Sequence, residues 1–191
     1  MIAIEPADNY RYGYRLWLDD VSAMPLKIQL LEASAEIPVE ELFFTSISLP
    51  EVLDEALVKP SGDLQAYSWV KHGDGDDEPM SAPLADIQWH ARKLPDGFMA
   101  TVATLEYMQG SAGPRTHLVY SDGLASVSVF VDLAVAASEQ TEGLTNVGAT
   151  NAYSLMIDGF LVTAMGEVPA ETVQLIATSM ELQSAAASQS R

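Results

Sequence analysis

The chain has 191 residues, 48% of them hydrophobic and 19% charged, which is apolar enough to bury a core without help from a metal or a disulfide. Nine Lys and Arg stand against 27 Asp and Glu, a net charge of −18, so unaided binding to nucleic acid or to an anionic membrane is opposed by charge of like sign. With no cysteine, disulfide scaffolds, thiolate metal sites and cysteine nucleophiles go together. No stretch reaches the length of a bilayer-spanning apolar segment, and the first residues show no basic segment followed by an apolar run.

The first block covers residues 8–49. From Tyr10 to Leu18 apolar and aromatic residues alternate with Arg11, Gly13 and Arg15, the period of a strand. Tyr12, Tyr14, Leu16 and Leu18 share one face, and Arg11, Arg15 and Trp17 share the other. Asp19-Asp20 and Met24-Pro25 read as a connection to a second strand, Leu26–Leu31, and Glu41–Leu49 reads as a third. An apolar face of that size needs a cover. The short helix expected over residues 51–60, with Val52, Leu53 and Leu57, is too small to provide one. A preceding portion or a partner chain is therefore expected.

Ser61 to Pro83 is sparse in apolar residues and holds Asp74, Asp76, Asp77 and Glu78, so it reads as an acidic linker rather than a calcium site. The second block opens at Ile87-Gln88-Trp89. Pro95-Asp96-Gly97 gives a turn ahead of a strand from Phe98 to Tyr107. Thr116–Tyr120 and Leu124–Val131 flank Asp122-Gly123, and Asn151–Ile157 and Phe160–Met165 flank Asp158-Gly159, two hairpins of one design. Residues 133–146 read as an irregular or partly helical excursion. Pro169 suits a first helical position, and Val173, Ile176, Ala177 and Met180 form one helical stripe that closes over the sheet. The Ala-Ser-rich tail has no stripe.

Chemistry is thinly represented. His72, His90 and His117 match no compact zinc spacing, no Gly-x-Ser-x-Gly elbow occurs, and Gly110 and Gly113 complete no phosphate loop. No catalytic residue, cofactor or metal site is read, and the expectation is a binding protein rather than an enzyme.

Tyr10–Asp19 with Pro25-Leu26-Lys27, then Pro95-Asp96-Gly97-Phe98, His117–Phe130, Gly148-Ala149 and Gly166-Glu167-Val168-Pro169 in order, resemble the MucB/RseB family of periplasmic regulators of an envelope-stress sigma factor. The similarity runs from about residue 5 to 180. It implies a mainly β (α+β) fold: residues 1–60 as the last strands of a lipoprotein-carrier-like domain with a partial antiparallel sheet, 61–83 as the acidic linker and 84–183 as a small β-rich C-terminal domain closed by a helix, to which the composition adds 184–191 as a disordered tail. It implies a negative regulator in the periplasm that binds the periplasmic domain of a membrane-spanning anti-sigma factor, restrains its proteolysis, and releases it to lipid or lipopolysaccharide signals. The missing signal sequence is then expected to reflect N-terminal truncation. Partner-binding positions carried over on the matching motifs are Tyr12, Arg15 and Trp17 in the first sheet and His117, Tyr120, Ser121 and Asp122 at the hairpin. The segment after Gly148-Ala149 departs from the family in having no basic residue. The alternative is a lipid or other apolar ligand held under the first sheet by Tyr12, Tyr14, Leu30 and Phe43, and exposed strand edges leave a homodimer open.

Overall fold

In the computed structural model, residues 1–32, 37–50, 52–59, 80–81, 87–107, 113–134 and 142–183 are described. Most of the expected acidic linker, including His72 and the Asp74–Glu78 cluster, and the tail from 184 lie outside them.

The first sheet is an antiparallel meander of β1 (Ile2–Ile4), β2 (Gly13–Leu18), β3 (Pro25–Leu31) and β4 (Glu40–Phe43). Register sets its two faces: Ile2, Leu16, Ile28 and Leu42 form one apolar row, while Trp17, Lys27 and Phe43 line up on the reverse side. The third strand ends at Phe43, short of the expected Leu49. Phe44 N–H still reaches Leu26 O at 3.1 Å, but its template β3 begins at Pro25, which has no N–H to extend the ladder. The helix expected over 51–60 is one tight turn, Glu55–Val58, capped by Asp54.

A second, seven-stranded antiparallel sheet holds β5 (Met80–Ser81), β7 (Met99–Glu106), β8 (Arg115–Ser121), β9 (Ser126–Leu133), β10 (Gly143–Val147), β11 (Thr150–Ile157) and β12 (Phe160–Gly166) in the order β10-β11-β12-β9-β8-β7-β5. Two meanders, β7-β8-β9 and β10-β11-β12, join where β12 pairs with β9. The Asp158-Gly159 hairpin is a two-residue turn with both residues at positive φ, +50 and +84, the geometry whose twist matches the strands. The Asp122-Gly123 loop is longer, four residues from Asp122 to Ala125, because Asp122 Oδ1 accepts from Leu124 N at 2.9 Å and Ala125 N at 2.8 Å and builds the turn around its own side chain.

The excursion read over 133–146 is in part a strand: Gly143–Val147 is β10, since the two-residue turn Gly148-Ala149 folds it onto β11. The helix α1 runs Ala170–Thr178, with Pro169 just outside it at ψ 150. Its stripe ends at Ala177. Met180 instead opens β13 (Met180–Leu182), which pairs with β6 (Trp89–Ala91) after Arg92 N–H bonds Ser179 O at 3.0 Å and draws the chain into extension.

Alternation along β8 and β9 sends Leu118, Tyr120, Val127, Val129 and Val131 to one side, where Val173, Ile176 and Ala177 of α1 close the core. Trp89 meets Phe160 edge to face, with centroids 5.4 Å apart.

Candidate functional site

The two sheets meet at Arg11. Its Nε donates to Asp122 Oδ2 at 2.5 Å, Nη1 to Asp8 Oδ2 and Nη2 to the carbonyl of Asp96, so one guanidinium joins the approach to β2, the Pro95–Phe98 turn and the β8–β9 loop. The turn takes this shape because Gly97 sits at φ +84, while Phe98 N–H closes it on Pro95 O at 3.1 Å. The cation also lies 4.9 Å from the centre of the Phe98 ring. Burial opposes the charge on Asp122, but the Arg11 guanidinium and the amides of Ala125 and Leu124 outweigh it and hold the carboxyl below its ordinary pKa. Burial likewise works against Arg11, yet its pKa is raised by Asp122 and Asp8.

Beside this hub, Asn151 Nδ2 donates to Tyr12 OH at 3.1 Å and to Val168 O at 2.8 Å, and Thr172 Oγ1 donates to Tyr10 O at 2.8 Å. Tyr12 and Leu30 are buried against Ala149, with Tyr14 at their margin. Burial raises the pKa of Tyr14, and the nearby carboxylates of Glu167 and Asp122 raise it further. From Tyr14 a groove of about 440 Å3 runs over the outer face of the second sheet, lined among others by Ser128, Phe130, Thr150, Met165 and Glu167. It joins an aromatic wall to a floor of small polar and apolar side chains.

Of the positions named from the sequence, Tyr12 and Asp122 belong to this seam, and Ser121 supports it by donating from Oγ to Ala125 O at 2.8 Å. Arg15 and Trp17 lie on the reverse face of the first sheet, where Lys27 Nζ stands 5.0 Å from the Trp17 ring centre and pairs with Glu41 at 2.7 Å. Tyr120 is 3% exposed and cannot meet a partner: its OH accepts from Ala91 N at 2.9 Å inside the core. Tyr120→Phe is expected to cost about 1 kcal/mol in urea unfolding by leaving that amide unpaired. Phe43 points away from Tyr12, Tyr14 and Leu30, so these four do not wall one cavity. In the sequence Asn151 has no local pattern that distinguishes it, Arg11 reads only as one of the charges alternating along the first strand, and Asp122 reads through its Asp-Gly turn and the family motif around it.

His117 lies on the outer face, stacked on Phe130 with centroids 4.4 Å apart. Its Nε2 is 3.2 Å from Ser128 Oγ and its Nδ1 is 3.4 Å from Glu106. Arg115, bonded to Asp132 at 2.7 Å, covers the other part of the same ring at 5.4 Å. The serine, histidine and carboxylate thus stand in line, but Ser128 is mid-strand with ladders on both sides, so its amide is committed and does not supply an oxyanion donor. Among the described residues no group of three metal-ligating side chains converges.

The sequence of the chain matches the family model described as the MucB/RseB C-terminal domain over residues 83–181 and that of the MucB/RseB N-terminal domain over 1–62. It is 28% identical over 190 residues to the sigma factor AlgU regulatory protein MucB of Pseudomonas aeruginosa, covering 97% of this chain and 57% of that protein. It therefore spans little more than half the length of that relative. In structure it is similar to MucB in the Pseudomonas aeruginosa MucA/MucB complex, with TM-score 0.74 and 27% identity over 96% of this chain and 59% of the other. MucB in complex with MucA(peri) gives 0.73 and 26%, over 96% and 61%. With the first sheet, every strand of the second sheet but β5, and the seam between them falling within these models, the chain belongs to the MucB/RseB family.

Proposed function

We propose that the chain serves in a negative regulator of envelope-stress sigma-factor signalling, in the periplasm, by binding the periplasmic part of a membrane-spanning anti-sigma factor and restraining its proteolysis. The observation that carries this reading is the likeness, over 96% of the chain and with TM-score 0.73, to MucB in complex with MucA(peri). The groove between Tyr14 and the Phe130–Met165 floor supplies a surface for such a segment, and occupation of a chain segment withholds it from a protease without any covalent step. The working division is residues 1–60 and 84–183 as two modules joined by the acidic linker 61–83.

Calorimetric titration with the periplasmic segment of the cognate anti-sigma factor is expected to saturate with a Kd on the order of 10 μM or tighter. Met165→Lys, placing a charge in the groove floor, is expected to weaken it about tenfold. No saturable heat at that concentration overturns the reading. A second reading, an apolar ligand, draws on the open row Ile2, Leu16, Ile28 and Leu42, of which Ile2 and Leu42 are 49% and 67% exposed. Absence of uptake in a lipid-displacement assay removes it.

A further inference from the structure

The seven-stranded sheet ends at β10, and among the described residues no strand pairs with its outer side. Proteins guard such edges with charge, proline, a bulge or a very short strand. The other edges comply: β5 has two residues, β1, β6 and β13 have three each, and β4 carries Glu40 and Glu41. β10 does not. Gly143-Leu144-Thr145-Asn146-Val147 has neither charge nor proline, its register with β11 is unbroken, and all but Gly143 are exposed, Val147 at 85%.

The turn decides which backbone groups face outward. Because only Gly148 and Ala149 separate the strands, Val147 and Thr150 form the hydrogen-bonded pair that closes the hairpin. Pairs alternate, so Thr145 and Gly143 also bond inward to β11, while Leu144 and Asn146 turn N–H and C=O to the open side. Charge then selects the occupant. No lysine or arginine occurs between Arg115 and Arg191, whereas Glu142 abuts β10 and Asp158 and Glu167 mark the ends of β11 and β12. A second copy would bring another −18 against this surface, but a cationic strand is drawn to it.

We propose that β10 is a strand-addition site for an extended, lysine- or arginine-bearing segment of a protein partner, separate from the Tyr14 groove. Main-chain bonds to Leu144 and Asn146 supply the affinity, and Glu142 beside the strand, with no basic residue along β10, β11 or β12 to oppose it, supplies the selectivity.

Hydrogen exchange in the presence of a short synthetic peptide of alternating lysine, threonine and valine tests this. The expected result is exchange at the Leu144 and Asn146 amides slowed on the order of tenfold, with Thr145 and Val147 little changed, and the effect weakened by salt. Leu144→Pro removes one outward donor while sparing the inward ladder and is expected to abolish protection at Asn146. A peptide N-methylated at alternate amides, which needs no protein variant, is expected not to bind when the methylated edge faces β10. Three results overturn the proposal: no slowing at about 1 mM peptide, equal protection by both N-methylated isomers, or protection that rises with protein concentration alone, which assigns the edge to a second copy.

Discussion

Arg11→Ala is expected to lower unfolding stability by about 2 to 3 kcal/mol, somewhat below the loss for a fully buried pair because the Arg11 and Asp122 side chains keep 17% and 13% exposure. Removal of the cation leaves the largely enclosed Asp122 without its partner and frees the Asp96 carbonyl and Asp8 at once. Arg11→Lys is expected to recover only part of the loss, since an ammonium lacks the planar fork that reaches three acceptors in different directions. A double-mutant cycle with Asp122→Ala is expected to give a coupling energy of about 1 to 2 kcal/mol. Additive losses would mean that the two side chains act independently. The pH dependence has a definite sign: the folded state holds the Asp122 pKa below its ordinary 3.8, so folding favours the ionised form. Its contribution is complete above the unfolded carboxyl's titration and is lost as pH falls through the lowered folded value. Arg11→Ala is therefore expected to flatten the acid limb of a stability profile measured by urea unfolding. Because this hub joins the two sheets, the same variant is expected to weaken the proposed partner, whereas Tyr120→Phe is not.

Gly166→Ala carries the other large effect. A Cβ built there meets Ser126 O at 2.3 Å and Val127 Cα at 3.3 Å, and both are backbone atoms of β9. Nothing in this contact is the movable end of a side chain, so β12 and β9 must separate locally where the two meanders are joined. A loss of about 3 kcal/mol is expected, at the upper end for overpacking, with an unchanged denaturant slope if the fold persists. A loss below about 0.5 kcal/mol would show that the strand end yields freely. The carbonyl involved borders the groove, so residual folded protein should also bind the partner segment less well.

The sequence by itself determined the mainly β class, the alternation that sorts faces, the Asp158-Gly159 hairpin and the Val173-Ile176-Ala177 stripe, because each is written in residues within a few positions of one another. Alternation along β8 also fixes His117 and Tyr120 on opposite faces, so their joint assignment to one contact surface was open to correction from spacing alone. The continuation of the helix to Met180 was overturned by a distant partner, β6, which competes for the chain beyond Ser179. Only the tertiary structure decided the pairing of β9 with β12, the meeting of Arg11 with Asp122 across 111 positions, and the intolerance of Gly166 to a side chain. Local periodicity states which way a side chain points; which surface waits on the other side depends on how the strands are ordered, and that ordering is set by the whole core at once.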